Sequence, residues 1–393
     1  MRILVLAGAL VALAFPTSAF GHHAPGAPGG DFEMAGPRGG AFKHVPFLGP
    51  ARRAADGMLE VRAGDGTTFT THGHDAVSGQ ELAAGTSDEY YAQDDGVVAS
   101  NVNTVYPAGL SRPPICATAG RVRLIYVQPA DRADRASTDS DMMRDTLARM
   151  NGWLYERGRA YSHNDVRLDI RTECSTTTGR IIVNTFRSGQ NSNSVTFEAL
   201  RTELANAGYN LSGDKYLVMW DFPVCDPTGT TGASEPDRTN HCMLRSGVAE
   251  LRVDDRRVWD NRNNQNANDP APMFALVYGV RNFRDNTTAL HEMIHTMGGT
   301  QNGAPFAAAA GHCWDELEVM CYDDDGDRAT FPIEQRCQNA TIDCFNDTYF
   351  DPFPEPGEWL ETHWNIGTEE NRFLRNLCIS DGRAPHACAS MTT

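Results

Sequence analysis

The five residues His291-Glu292-Met293-Ile294-His295 constrain this chain more than any others. Two histidines at i and i+4 share one face only on a helix, where both imidazoles can reach one metal ion. The glutamate between them then lies beside the metal's open position. Leu290, Ile294 and Met297 form an apolar stripe at i, i+4 and i+7, so the helix is to be buried along that side. Asp285 or Asn286 stands where a cap belongs, and Gly298-Gly299 stands where the helix must end. The fold must therefore bring a further ligand-bearing segment over a short buried helix. The bland alternative is a surface helix with two unrelated histidines.

The rest of the chain supplies material for such a fold. Val122 to Val127, Val166 to Ile170, Ile181 to Phe186, Tyr216 to Trp220 and Met273 to Val280 read as strands. Asp141 to Tyr155 carries Met143, Leu147, Met150 and Leu154 on one helical stripe, and Phe197, Leu200 and Leu204 mark a second helix closed by Gly208. Strands alternating with helices indicate an α/β sheet packed on helices. Residues 22–106 are rich in Gly, Pro and Ala, lack cysteine and show only short strand-like runs such as Met58 to Val61. They read as a propeptide or a loosely structured leader ahead of a main domain over 107–393, whose part beyond about 323 is disulfide-rich.

The N-terminus and the cysteines speak for export. Arg2, an apolar run from Ile3 to Phe15 and small residues up to Gly21 have the form of a cleaved signal peptide over 1–21. Ten cysteines, an even number, imply disulfides in an exported chain. Short loops favour pairing Cys225 with Cys242, Cys313 with Cys321, Cys337 with Cys344 and Cys378 with Cys388, leaving Cys116 with Cys174. No CxxC occurs, which disfavours a thiolate zinc finger. A net charge of −17 argues against nucleic acid or an anionic membrane surface as partner. Only Lys43 and Lys215 are lysine, a bias that reads as base composition.

The residues after the helix add a pattern. Gly298 follows His295 by three, and His312 lies in Gly311-His312-Cys313-Trp314-Asp315-Glu316-Leu317-Glu318-Val319-Met320-Cys321-Tyr322. This assembly resembles the metzincin zinc metallopeptidases: HExxHxxG, a third ligand, then a methionine turn ending in tyrosine. It looks closest to secreted bacterial metzincin-type proteins carrying HCxDExxxMCY after an insertion, a likeness that Asp347 to Phe350 and Thr362 to Asn365 share. The resemblance implies a zincin-like α+β fold and a secreted endopeptidase acting on protein or peptide substrates, expected as a monomer. It implies zinc held by His291, His295 and His312, Glu292 as general base, Met320 beneath the metal and Tyr322 near it as oxyanion stabiliser or resting cap.

One position departs from the usual pattern. Three residues after Gly298 stands Gln301, and a carboxamide is a poor zinc ligand beside imidazole. Thr300 to Gly311 therefore reads as an inserted loop ahead of His312, with Asp315 the alternative ligand. Two rival readings stay open: a gluzincin-like protease using Glu316, and a non-enzymatic secreted adhesion or binding protein with structural zinc. Asp323-Asp324-Asp325-Gly326-Asp327 could bind calcium, although a solvated acidic loop explains it as well. Asp65, His72 and His74 could occupy the metal in a zymogen, and His363 reads as structural.

Overall fold

The computed structural model describes residues 106–161, 168–211, 213–226, 241–245, 247–251, 272–284, 287–301, 303–307, 311–313, 317–321, 337, 340–367 and 371–376. Before residue 106 it describes the strands Phe32–Met34, Arg52–Arg53, Leu59–Arg62, Thr68–Thr71 and Asp75–Ala83. The signal-peptide stretch, Asp65, His72, His74, Asp315, Glu316, Tyr322, the acidic run 323–327, Cys378, Cys388 and the side chains of Cys225 and Cys242 lie outside the described residues.

A mixed, twisted eight-stranded sheet organises the chain, in the order Gly247–Ala249, Met273–Tyr278, Asp214–Trp220, Arg121–Gln128, Leu168–Thr172, Leu374–Asn376. Ile115–Cys116 adds beside Leu168–Thr172, and Val183–Arg187 pairs with Arg121–Gln128. The interior pairs are parallel, whereas Gly247–Ala249 and Leu374–Asn376 run antiparallel at the two edges. Every residue of the 214–220 and 273–278 strands is buried, as expected where helices cover both faces.

The side-chain alternation of these strands divides the core in two. Leu124, Tyr126, Leu217, Met219, Ala275 and Val277 face one way. They meet Met143, Leu147, Met150 and Leu154 of the long helix Ala136–Tyr161, and Leu290, Met293 and Ile294 of the helix Thr288–Thr296. Ile125, Val127, Tyr216, Val218, Phe274 and Leu276 face the other way, onto Phe197, Leu200 and Leu204 of the helix Phe197–Asn206. The architecture is a helix layer on either side of a mixed α/β sheet.

Most expected elements form, with shifted ends. The long helix starts earlier than its apolar stripe because Asp134 accepts the Ala136 N–H at 2.8 Å and nucleates the first turn. Strands expected over 166–170 and 181–186 occupy Leu168–Thr172 and Val183–Arg187. The helix carrying the two histidines begins at Thr288 with Thr287 in the cap position, and the expected caps Asp285 and Asn286 lie outside the described residues.

Three of the expected disulfides are formed: Cys116–Cys174, Cys313–Cys321 and Cys337–Cys344. No described helix is long and apolar enough to cross a membrane. In the segment read as a leader, Leu59–Arg62 and Thr68–Thr71 form a hairpin. Asp75–Ala83 pairs with His241–Arg245 of the main domain.

Candidate metal centre

All nine residues of the Thr288–Thr296 helix are buried. Such burial suits an element between the sheet and a second layer, and it takes the two histidines and Glu292 out of water together. Gly298 ends the helix with φ +80°, a left-handed turn that costs an L side chain but not glycine. The last carbonyls are then claimed from outside. The Lys215 ammonium donates to the Thr296 carbonyl, and the Trp364 indole N–H donates to the Met297 carbonyl at 2.9 Å. A cation at the C-terminal end also suits the helix dipole.

The chain beyond Gly298 doubles back. Gln301 turns its amide nitrogen to the Gly298 carbonyl at 2.7 Å, so that group closes the turn. Ala307 pairs with Cys313, and Cys313 pairs in turn with Cys321. This short ladder carries His312, which is fully buried.

The three histidines converge. His295 Nε2 lies 3.0 Å from His291 Nε2 and 3.0 Å from His312 Nε2. His291 Nδ1 lies 2.7 Å from the Val319 carbonyl. Because a carbonyl only accepts, Nδ1 carries the proton in neutral His291 and Nε2 presents its lone pair to the cluster. Three imidazole nitrogens so packed leave room for one cation to be shared between them. Tetrahedral ligands at zinc–nitrogen distances near 2.05 Å stand about 3.3 Å apart, so the observed spacing fits a metal with little adjustment. His291, His295 and His312 thus form a group that could hold a metal ion.

Two other clusters of sulfur and carboxylate do not qualify in the same way. Glu318 stands among Cys313, Cys321, Cys337 and Cys344. Those four sulfurs are joined in two disulfides and offer no thiolate. The Glu318 carboxylate instead accepts the Cys344 N–H at 2.8 Å, tying one disulfide loop to the other. Met320 is fully buried in the core on the face of the sheet that carries the histidine helix. His363 stacks on Trp359 at 3.9 Å between ring centroids and does not join the histidine group.

Three contributors escaped the sequence reading. The Val319 carbonyl orients His291, Lys215 claims the helix end, and Gly247 lies against Glu292. Glu292 is fully buried. A Cβ placed on Gly247 would come within 2.0 Å of its Oε1. None of the three left a local signal: the rarity of lysine reads as base composition, and a backbone carbonyl and an edge-strand glycine carry no pattern.

No protein-family model matches the sequence, and no curated protein matches it. Among solved structures, OgpA from Akkermansia muciniphila is similar at 10% identity and a TM-score of 0.26, over 49% of this chain and 52% of that one. Metalloproteinase-II from Bacteroides fragilis is similar at 11% identity and a TM-score of 0.26, over 70% of this chain and 75% of that one. The chain thus spans about half the length of OgpA.

Proposed function

We propose that this protein is an exported zinc endopeptidase that hydrolyses peptide bonds with Glu292 as general base. The observation that carries the reading is the meeting of three buried imidazole Nε2 atoms around the helix that also bears Glu292. His291, His295 and His312 would hold the ion, and three protein ligands leave a fourth position for water or substrate, as catalytic zinc requires. A bound zinc supplies a Lewis acid for the scissile carbonyl and brings the pKa of water to about 7. Glu292 takes the proton of the attacking water and returns it to the leaving amine. His291 is held in its ligating tautomer by the Val319 carbonyl, which also makes the ring a better donor. Disulfides at Cys116–Cys174, Cys313–Cys321 and Cys337–Cys344 suit an oxidising compartment outside the cell.

The test is digestion of casein or a peptide library, with and without a chelator, by the parent and by Glu292→Gln. The amide cannot accept the water's proton, so this variant should keep its zinc and its fold while hydrolysis falls at least about 100-fold. Parent-like turnover in Glu292→Gln removes the assignment of the base. A parent that binds zinc tightly and cleaves nothing favours the structural-zinc alternative.

A further inference from the structure

The edge strand Gly247–Ala249 and Glu292 are packed too closely for any side chain at position 247. A Cβ built there would stand 2.0 Å from Glu292 Oε1, 2.6 Å from Cδ and 2.7 Å from Cγ. Contacts that short do not occur, so one partner would have to move.

The strand has little freedom to do so. Gly247, Val248 and Ala249 pair with Val277, Leu276 and Ala275 of the buried 273–278 strand. The next residue, Glu250, is buried; its carboxylate receives Arg201 and accepts the Phe274 N–H at 2.8 Å. One residue further, the Leu251 N–H donates to the Thr70 carbonyl at 2.9 Å. The strand is thus held along one side and pinned just past its end.

The helix backbone has as little freedom. His291 and His295 flank Glu292, and the turns holding them are fixed by Val319 at one ring and by Lys215 and Trp364 at the helix end. What can yield is the Glu292 side chain. A Cβ at 247 would push the carboxylate off its present rotamer while leaving the three histidines in place.

We infer that Gly247 is a positioning residue for the general base, its bare backbone fixing where the Glu292 carboxylate lies. The inference rests on the reading of Glu292 as base given above. It makes position 247 a place where one methyl group separates metal binding from turnover. Misplacing a catalytic group by about 1 Å can cost on the order of 100-fold in rate.

The experiment is a double-mutant cycle of Gly247→Ala with Glu292→Ala on the full chain, read by zinc content, thermal midpoint and steady-state kinetics. Gly247→Ala should keep one zinc and a KM within about threefold of the parent while kcat falls about 100-fold. Its thermal midpoint should drop in the parent background and recover when Glu292 is Ala, because the partner of the clash is gone. Should Gly247→Ala fail to fold, a folded Gly247→Ala/Glu292→Ala protein still supports the contact. The inference is overturned if Gly247→Ala keeps its kcat. It is equally overturned if the alanine destabilises as much without the Glu292 side chain as with it. The stability arm reads the contact whether or not the parent cleaves peptides, so failure of the peptidase reading shows separately, as an inactive parent.

Discussion

His291 and Val319 are joined by a 2.7 Å hydrogen bond from the imidazole Nδ1–H to the backbone carbonyl. It links the helix to the segment that carries Met320 and Cys321. That segment is fixed in turn by the Cys313–Cys321 disulfide and by the Val319 N–H bond to the Thr341 carbonyl at 3.0 Å. His312, one residue before Cys313, is carried on the same ladder, so the orienting carbonyl and the third imidazole belong to one braced unit.

Metal content should therefore distinguish position 312 from its neighbours. His312→Ala should weaken zinc binding as much as His295→Ala, well beyond about 100-fold, because two remaining imidazoles hold zinc poorly. Gln301→Ala should change the affinity less than about threefold, since that amide is engaged with the Gly298 carbonyl. Zinc content after dialysis against a competing chelator reads both. Retention in His312→Ala with loss in Asp315→Ala would move the third ligand three residues along.

What could be read in the sequence was what local pattern determines. The strands 121–128, 214–220 and 273–278 carry the apolar runs Leu124 to Val127, Tyr216 to Trp220 and Met273 to Tyr278 because they are buried on both faces. The helix 288–296 showed its stripe and its glycine stop, and His312 was singled out by the metzincin resemblance, with imidazole a better zinc donor than the Gln301 amide. The edge strand Gly247–Ala249 is three residues of small and medium size whose strand character comes wholly from pairing with 273–278. Glu250, Arg201 and Lys215 likewise look like surface charges until distant partners bury them. Contacts that are distant in sequence leave no period to read.

Lys215 should hold up the end of the histidine helix. Its buried ammonium donates to the Thr296 carbonyl and lies 4.4 Å from the centre of the Phe373 ring. Lys215→Met keeps the length of the side chain but deprives that carbonyl of its donor. A hydrogen bond to a charged group contributes about 1.5–3 kcal/mol, against which stands the cost of burying an ammonium. The geometry, a single cation at a helix C-terminus, puts the balance at about 1–2 kcal/mol of lost stability. Urea unfolding of the two proteins measures it, and an unchanged or higher midpoint would mean that desolvation wins.

The C-terminal part should show a pH dependence set by Asp351. Burial, with the Glu358 carboxylate close by, pushes Asp351 up to about 7 from an ordinary 3.8. A raised carboxyl pKa means that the folded state prefers the protonated form. That contribution to stability is complete below pH 3.8 and is lost as pH rises through about 7. Asp351→Asn imitates the protonated group and still offers an oxygen to the Phe353 N–H. The variant should unfold several degrees higher than the parent at pH 8, and the gap should close toward pH 4. A gap that stays constant over this range would show that Asp351 does not titrate there.

The hairpin 59–71 should prove a working part of the folded domain. Val61 is buried and shares the core of Phe197, Leu200, Phe274 and Leu276. Thr71 pairs with Glu250, and the Thr70 carbonyl accepts the Leu251 N–H at 2.9 Å, directly after the edge strand that lies on Glu292. Cutting the hairpin away would bare the apolar core around Val61 and loosen the end of that strand. Val61→Ala removes two methyl groups from a closed site and should cost about 2 kcal/mol in thermal unfolding. The protein recovered from culture medium should, by intact mass, still contain residues 59–71. Recovery of a stable, active chain that begins near residue 107, with a midpoint equal to that of the longer form, would instead make the segment a disposable propeptide.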